Sequence, residues 1–264
     1  MAVSILRTNK LCKSFSNGGK LQHVIKNLDL DIYEGDFTVI MGASGSGKST
    51  LLYALSGMDK PSMGQVFFDE RDISNYSNDE LAVFRRGSGG FVFQSIHLLE
   101  NQTVLDNVLT SALIVQKHSP KLVQKAKDLL AKVGLDKEDL EKYSSQLSGG
   151  EAQRVGIVRA IINDPRIVFA DEPTGALNSA SSKEVLDIFT DINKKGQSIV
   201  MVTHDFKTAL RGNRVIFLRD GGIAGDLALG AYEGDSHSTD KTTNRDAIKS
   251  RRDKLLGFLE EMGW

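Results

Sequence analysis

The sequence lacks features that define several large protein classes. Its 264 residues include one cysteine, Cys12, which excludes an internal disulfide and the thiolate ligands usual in structural zinc sites. No run of about 18 apolar residues occurs, so no membrane-spanning helix is predicted. The net charge of −1 argues against the electrostatic binding of long nucleic acids. With no signal-like apolar stretch near the N-terminus, these absences favour a reducing, cytoplasmic compartment.

The composition is that of a globular domain, with 40% hydrophobic and 25% charged residues. Short apolar runs predict strands at 28–32, 36–41, 64–68, 90–93, 166–170 and 198–202, and the pair 215–218 and 223–227 flanks a hairpin turn. Between about 98 and 162 the pattern is helical, with Thr103, Ser119 and Ser148 as helix caps, and a further helix is predicted at 181–193. This alternation indicates an α/β fold with a largely parallel sheet and an inserted helical subdomain.

Residues 42–49 form a glycine-rich segment between a predicted buried strand and a predicted helix. Their sequence, GASGSGKS, matches the phosphate-binding pattern G-x-x-x-x-G-K-[ST]. Glycines let backbone N–H groups point at a phosphate without obstruction by a Cβ, and the helix adds its positive N-terminal end. The Lys48 ammonium would lie between the β- and γ-phosphates, and the Ser49 hydroxyl would ligate Mg²⁺. We expect the phosphate-binding set to be Gly42, Ala43, Ser44, Gly45, Ser46, Gly47, Lys48, Ser49 and Thr50.

Two adjacent carboxylates, Asp171 and Glu172, follow the strand predicted at 166–170, and Pro173 indicates a turn there. Because parallel strands end together at one edge of a sheet, Asp171 should lie beside the phosphate loop and hold Mg²⁺, directly or through water. Glu172 is then placed to polarise an attacking water. An ordinary acidic loop is the alternative, which the presence of the phosphate loop disfavours.

His204 follows the strand predicted at 198–202, at the same edge of the sheet. An imidazole there can donate a hydrogen bond to a phosphoryl oxygen and so sense the γ-phosphate. A histidine beside an aspartate is otherwise most often structural, and the position at the sheet edge favours the sensor.

A second anion-binding pattern lies at 147–154, LSGGEAQR. Ser148 and Glu151 have the spacing of a capping box, and Gly149 and Gly150 expose backbone N–H groups at the positive end of a helix. Since the first phosphate site is already complete, the second is best explained by a nucleotide bound to another copy of the chain. A symmetric head-to-tail dimer would build two such shared sites.

Taken together, these motifs resemble the nucleotide-binding subunits of ABC (ATP-binding cassette) transporters over about 3–225. The resemblance implies an α/β P-loop NTPase (RecA-like) core with an antiparallel β subdomain and an inserted α-helical subdomain at about 97–162. It also implies an ATPase with ATP and Mg²⁺ as cofactors. The matching motifs are the Walker A loop at 42–49, the Q-loop glutamine Gln94, the signature at 147–150, the Walker B carboxylates Asp171 and Glu172, and the switch histidine His204.

The resemblance also implies roles for single residues. Gln94 would sense Mg²⁺ and the γ-phosphate and border the groove that receives a membrane permease. Phe15 stands where the family stacks an aromatic ring on adenine, although a buried core phenylalanine is the competing interpretation. The implied catalytic residues are Glu172, Lys48, His204 and Gln94, the metal ligands are Ser49, Gln94 and Asp171, and the residues contacting ATP across the dimer are Ser148, Gly149 and Gly150.

Two positions depart from the family pattern. Asn178 replaces the aspartate that usually ends the D-loop, which keeps the hydrogen-bonding shape but loses the charge, so hydrolysis or communication across the dimer would differ. Glu151 replaces a frequent glutamine, and little effect is expected because a capping box accepts either. The sequences at 41–47, 170–178 and 259–264 are most similar to the bacitracin and lantibiotic resistance branch of the cassettes of the macrolide-exporter and lipoprotein-release type.

The resemblance implies a homodimer that drives a separate integral membrane permease, with no nucleic acid as partner. The chain would be cytoplasmic and peripheral on the inner face of the cell membrane. Antimicrobial-peptide resistance or export is the expected role, and a non-exporting complex for cell division, lipoprotein release or stress sensing is the alternative. A soluble ABC ATPase acting on DNA or ribosomes is disfavoured by the single cassette and the balanced charge.

Composition changes after residue 225, which predicts a nucleotide-binding domain at 1–225 and a C-terminal extension at 226–264. Residues 230–244 are expected to form a polar linker, and Asn244 is expected to cap an amphipathic helix. Its basic residues could suggest binding to a membrane surface, but interspersed acidic residues favour packing on this chain or on its partner copy. The apolar stripe of that helix consists of Ile248, Leu255, Leu259 and Met262.

Overall fold

The structure is a computed structural model that describes residues 3–233 and 241–264. The described residues contain ten β-strands: β1 (Ser4–Asn17), β2 (Lys20–Tyr33), β3 (Phe37–Met41), β4 (Met63–Phe68), β5 (Arg71–Asp72), β6 (Gly89–Phe93), β7 (Ile167–Asp171), β8 (Ser198–Val202), β9 (Arg214–Arg219) and β10 (Gly222–Ala228). They also contain eight α-helices: α1 (Lys48–Leu55), α2 (Asn78–Ser88), α3 (Val104–Leu113), α4 (Pro120–Lys132), α5 (Gly149–Ile161), α6 (Ser179–Lys194), α7 (Phe206–Ala209) and α8 (Lys241–Glu261). Within the described residues, no helix has both the length and the apolarity needed to cross a membrane.

The chain divides into two compact units, and the first comprises Met1–Ser77 and Ile192–Trp264. In this unit β2, β1, β4 and β5 form an antiparallel sheet in that order. A second group of strands has the order β10-β9-β3-β8, in which β3 is parallel to both β8 and β9. Every residue of β3 and β8 is buried, because both faces of a central parallel strand are covered. Their continuous apolar runs reflect this burial.

The second unit, Asn78–Asp191, combines the parallel strands β6 and β7 with several helices. The predicted caps are confirmed: the side chain of Thr103 accepts a hydrogen bond from the Asp106 N–H, and the Ser119 side chain accepts one from the Leu122 N–H. Helices α3, α4 and α5 bury a common apolar cluster that includes Val108, Leu130, Val155 and Val158. This cluster is the core of the helical part of the unit.

At the chain ends the structure contains one strand that was not predicted, and one prediction is wrong. Strand β1 was not predicted, because register shifts interrupt its pairing with β2 and erase the two-residue alternation of apolar side chains. Asn244 does not cap the C-terminal helix, because α8 already begins at Lys241. Every residue from 235 to 244 is polar or charged, so composition alone does not distinguish a cap from a first turn. Part of the predicted linker, 234–240, lies outside the described residues.

The C-terminal helix packs on its own chain. Leu255 and Leu259 are fully buried, as the predicted stripe requires. The Met262 sulfur and the Phe258 ring approach Gly225 of β10 so closely that an added Cβ would lie 2.7 Å from each. Packing on this chain, rather than binding to a membrane surface, therefore accounts for the apolar stripe of α8.

Candidate functional site

The glycine-rich segment at 42–47 connects β3 to α1, as predicted. Gly42 has a φ of 150° and Gly47, at the N-cap of α1, has a φ of 100°. An added Cβ at Gly42 would lie 2.2 Å from the Leu218 carbonyl oxygen, and one at Gly47 would lie 2.9 Å from Ile25 Cδ1. Both positions need glycine, because the backbone adopts unusual angles and neighbouring elements fill the space of a side chain.

The segment has the chemistry that a polyphosphate requires. Lys48 Nζ donates hydrogen bonds to the carbonyl oxygens of Gly42 and Ala43, both at 2.9 Å, so the ammonium is held inside the turn. The Ser46 hydroxyl is buried, and among the described residues it has no hydrogen-bond partner. A buried hydroxyl without a partner is costly unless a ligand completes it. With the N-terminal end of α1, these groups fit a bound phosphate chain.

His204 and the phosphate loop follow adjacent parallel strands of the first unit. Ile40 of β3 is in register with Val202 of β8, and the Thr203 N–H donates to the Ile40 carbonyl oxygen at 3.1 Å. The neighbouring Asp205 caps α7 by accepting a hydrogen bond from the Thr208 N–H at 2.7 Å. The capping of α7 therefore explains the carboxylate next to His204, whose own side chain is exposed.

Phe15 lies near the end of β1 and is 43% exposed. The competing interpretation, a buried core phenylalanine, is therefore wrong. An exposed aromatic ring on a strand of the first unit is available for stacking on a planar ligand.

The second unit brings Gln94, Asp171 and Glu172 together. Phe93 and Asp171 are in register at the ends of β6 and β7, so Gln94 and Glu172 leave the two strands side by side. Glu172 has a φ of 43°, a left-handed conformation that turns the chain at the strand end. An added Cβ at Gly175 would lie 3.0 Å from Gln94 Nε2, so the glutamine lies against the loop after Glu172.

The donor set predicted for a metal consists of oxygen ligands. Gln94 offers an amide oxygen and Asp171 a carboxylate in this unit, while Ser49 offers a hydroxyl in the first unit. Mg²⁺ prefers oxygen ligands and commonly takes few of them from the protein when phosphates supply the rest. The chemistry of these three side chains therefore fits Mg²⁺.

The predicted capping box at the start of α5 is confirmed. The Glu151 N–H donates to Ser148 Oγ at 3.3 Å, and Glu151 Oε2 accepts from the Ser148 N–H and hydroxyl, each at 2.7 Å. These hydrogen bonds hold the pKa of the Glu151 carboxyl below its ordinary value, against a smaller opposing effect of burial. The box fixes the first turn of the helix that begins with Gly149 and Gly150.

Gly150 has a second constraint that the motif did not reveal. An added Cβ there would lie 2.7 Å from Ser181 Oγ on α6. The side-chain oxygen of Asn178 accepts a hydrogen bond from the Ser181 N–H at 2.9 Å, as an N-cap does. Asparagine at the D-loop position thus retains the capping function of an aspartate without its charge.

Sequence reasoning missed Gln153 and Arg154 in the same helix. Gln153, only 1% exposed, donates to the Phe93 carbonyl oxygen at 3.1 Å and so connects α5 to the strand that precedes Gln94. Arg154 pairs with Glu184 of α6 at 2.6 Å. The only available signal was a pair of long polar residues next to the signature, which could equally have been solvent-exposed.

Comparisons with known proteins agree with this architecture. A family model described as ABC transporter matches residues 25–175, more than half of the chain. The macrolide export ATP-binding/permease protein MacB of Haemophilus ducreyi is 42% identical over 228 residues, which cover 86% of this chain and 33% of that protein. The chain thus spans about a third of the length of that relative. The lipoprotein-releasing system ATP-binding protein LolD of Idiomarina loihiensis is 40% identical over 84% of this chain and 97% of that protein.

Two solved structures of MJ0796 are also similar. One is a dimer of this bacterial ABC transporter cassette, with a TM-score of 0.80, and the other is a dimeric post-hydrolysis state bound to ADP and Pi, with a TM-score of 0.79. Each is 35% identical and covers 86% of this chain and 100% of the solved chain. These similarities confirm the predicted P-loop NTPase fold. The chain belongs to the ABC transporter family and is an ATP-binding cassette of the type found in macrolide-export and lipoprotein-release systems.

Proposed function

We propose that the chain binds and hydrolyses ATP as the cassette of a membrane complex. The observation that carries this proposal is the presence of two glycine-containing helix starts suited to anions, α1 after the glycine-rich turn and α5 with its capping box and paired glycines. One triphosphate needs only the first. The second is accounted for if two copies face each other head to tail, each offering α5 to the nucleotide held by the other.

Hydrolysis would depend on positioned charges and one oriented water. Lys48 and the N-terminal end of α1 stabilise negative charge on the phosphates. Glu172 orients the attacking water, and His204 and Gln94 contact the γ-phosphate and its surroundings. When bound, Mg²⁺ neutralises phosphate charge, with Ser49, Asp171 and Gln94 as its protein ligands. Loss of the γ-phosphate removes the link between the two anion sites, and the dimer opens.

A partner permease would convert this opening and closing into work. The dimeric structure of MJ0796 supports a second copy of the chain as one partner. The MacB relative, named an ATP-binding/permease protein, supports a permease as the other. In this proposal the chain consists of a nucleotide-binding domain at 1–225 and a C-terminal extension at 226–264. In the complex, the chain would lie on the inner face of the cell membrane.

Replacing Glu172 with glutamine tests the hydrolytic proposal. Because the amide cannot accept a proton from water, turnover should fall by about 10²–10⁴-fold. ATP affinity should be unchanged, and ATP should trap a dimer detectable by size-exclusion chromatography with light scattering. Glu260→Gln, on the exposed face of α8, is the matched control and should behave like wild type. Wild-type turnover in Glu172→Gln would exclude Glu172 as the catalytic base.

For the cellular role, we propose resistance to antimicrobial peptides, because three sequence segments are most similar to that branch. Lipoprotein release is the second candidate, because the match between this chain and LolD covers 97% of the LolD protein. A deletion strain should become sensitive to bacitracin or lantibiotics, and wild type but not Glu172→Gln should restore resistance. Unchanged sensitivity together with mislocalised lipoproteins would favour the second candidate.

A further inference from the structure

Lys13 is a buried cation on β1 that none of the family motifs includes. Its side chain is only 11% exposed, and Nζ donates to Asp59 Oδ1 at 2.6 Å and to the Lys60 carbonyl oxygen at 2.8 Å. A buried ammonium is stable only when it is paired and hydrogen-bonded. These two contacts therefore fix the position of the charge.

The fixed charge lies against Phe15. Lys13 Nζ is 5.0 Å from the centre of the Phe15 ring. A cation at this distance is attracted to the face of an aromatic ring. Because Lys13 occupies one face, a planar ligand would stack on the other.

The contacts of Lys13 and of its partner Asp59 also connect the strand that carries Phe15 to the phosphate-binding elements. Asp59 follows α1 closely, and its N–H donates to the carbonyl oxygen of Tyr53, within that helix, at 3.1 Å. On the other side, Lys13 is paired with Ile25 of β2, whose side chain packs against Gly47. Lys13 thus joins the strand that carries the aromatic ring to both ends of α1.

We propose that Lys13, held by Asp59, is a positioning residue for the base of the bound nucleotide. It sets the Phe15 ring at a fixed place relative to the phosphate loop, so that a purine stacks on the ring while its triphosphate fills the loop. The inference rests on the proposed function and adds to it a determinant of base affinity. Ordering the ring before binding lowers the entropic cost of ordering it with the ligand.

The test separates base binding from phosphate binding. Binding of MgATP and of magnesium tripolyphosphate, which has no base, is measured by isothermal titration calorimetry. Lys13→Met should weaken MgATP binding by about five- to tenfold and leave tripolyphosphate binding unchanged, and Asp59→Asn should act in the same direction. Lys13→Arg, which retains a cation over the ring, should restore most of the affinity.

A matched control exists on the same strand. The Arg7 guanidinium lies 4.8 Å from the centre of the Phe67 ring and pairs with Glu70, so Arg7→Met removes a similar cation–ring contact elsewhere on β1. It should change the affinity for neither ligand. In a Phe15→Ala background, Lys13→Met should have no further effect, because Lys13 acts through the ring.

Two results with Lys13→Met would overturn the inference, and a third result, with the wild type, would overturn the proposed function on which it rests. Unchanged MgATP affinity in Lys13→Met excludes positioning of the base, and equal losses for MgATP and tripolyphosphate show that Lys13 only supports the fold of β1. If wild type binds neither ligand, the proposed nucleotide-binding function itself fails. If wild type binds both ligands and Lys13→Met binds MgATP with the wild-type affinity, only the role of Lys13 fails.

Discussion

At the scale of single residues, Gly42 is tightly constrained by its surroundings. Its φ is 150°, and an added Cβ would lie 2.2 Å from the backbone oxygen of Leu218, on the neighbouring strand β9. A backbone atom in a buried sheet cannot move aside as the end of a flexible side chain can. The backbone angle and the packing against β9 therefore require glycine at the start of the phosphate loop even when no ligand is bound.

Gly42→Ala should destabilise the nucleotide-free protein by about 2–3 kcal/mol, because strain and a backbone clash add together. Gly45→Ala is the control, since Gly45 also has a positive φ, of 79°, but nothing within 4 Å of an added Cβ. Strain alone should cost that variant about 1 kcal/mol. Chemical denaturation measures both values, and equal losses would show that the contact with β9 is unimportant.

At the scale of secondary-structure elements, the capping box at the start of α5 contains a carboxylate, that of Glu151. Hydrogen bonds from Ser148 lower the pKa of Glu151 in the folded protein. The cap therefore contributes stability above the ordinary glutamate pKa of 4.5, and this contribution is lost as the pH falls through the lower folded value.

At neutral pH the free energy of unfolding should be about 0.5–1 kcal/mol higher for the wild type than for Glu151→Gln. This difference should become smaller in acid. Urea denaturation over a pH series measures it. Glu138→Gln, at an exposed position, should show no such trend. A difference that stays constant with pH would mean that the carboxylate charge does not stabilise the cap.

Besides its apolar residues, helix α8 contacts the rest of the first unit through Arg251. Its guanidinium donates to the carbonyl oxygens of Leu210 at 2.8 Å and Leu229 at 3.0 Å, and also to that of Gly212. Burial lowers the pKa of this arginine. Its partners are backbone oxygens, which would lose a charged donor if the side chain were shortened.

Arg251→Met should therefore destabilise the protein by about 2–3 kcal/mol, since hydrogen bonds from a charged group are among the stronger ones. The neighbouring Arg252 is exposed, and Arg252→Met should change stability by less than about 0.5 kcal/mol. Thermal or urea unfolding compares the two. Similar values would show that α8 is held by its apolar residues alone.

At the scale of the whole molecule, the proposed site is complete only in a pair of chains. ATP turnover per chain should then fall on dilution, because dissociation separates α5 from the nucleotide of the partner copy. Ser148→Tyr should abolish turnover without weakening ATP binding at the phosphate loop. Ser250→Tyr, on an exposed face of α8, should change neither. Turnover that is independent of concentration and insensitive to Ser148→Tyr would contradict a shared site.

The sequence by itself determined the features that depend on neighbouring residues along the chain. Buried strands such as β3 and β8 were predictable because both faces are covered, which leaves an uninterrupted apolar run. The caps at Thr103 and Ser148 were predictable because a side chain meets a backbone N–H only three residues away. The phosphate loop and the Walker B carboxylates follow such strands, so their positions were predictable too.

Only the tertiary structure decided what depends on distant residues. The bulged strand β1, the ion pair of Lys13 with Asp59 and the contact of Gly150 with Ser181 join positions far apart in the chain. The burial of Gln153 against the end of β6 is of the same kind. Hydrogen bonds and close packing act over a few ångströms, and the separation of two residues in sequence does not determine whether folding brings them within that range.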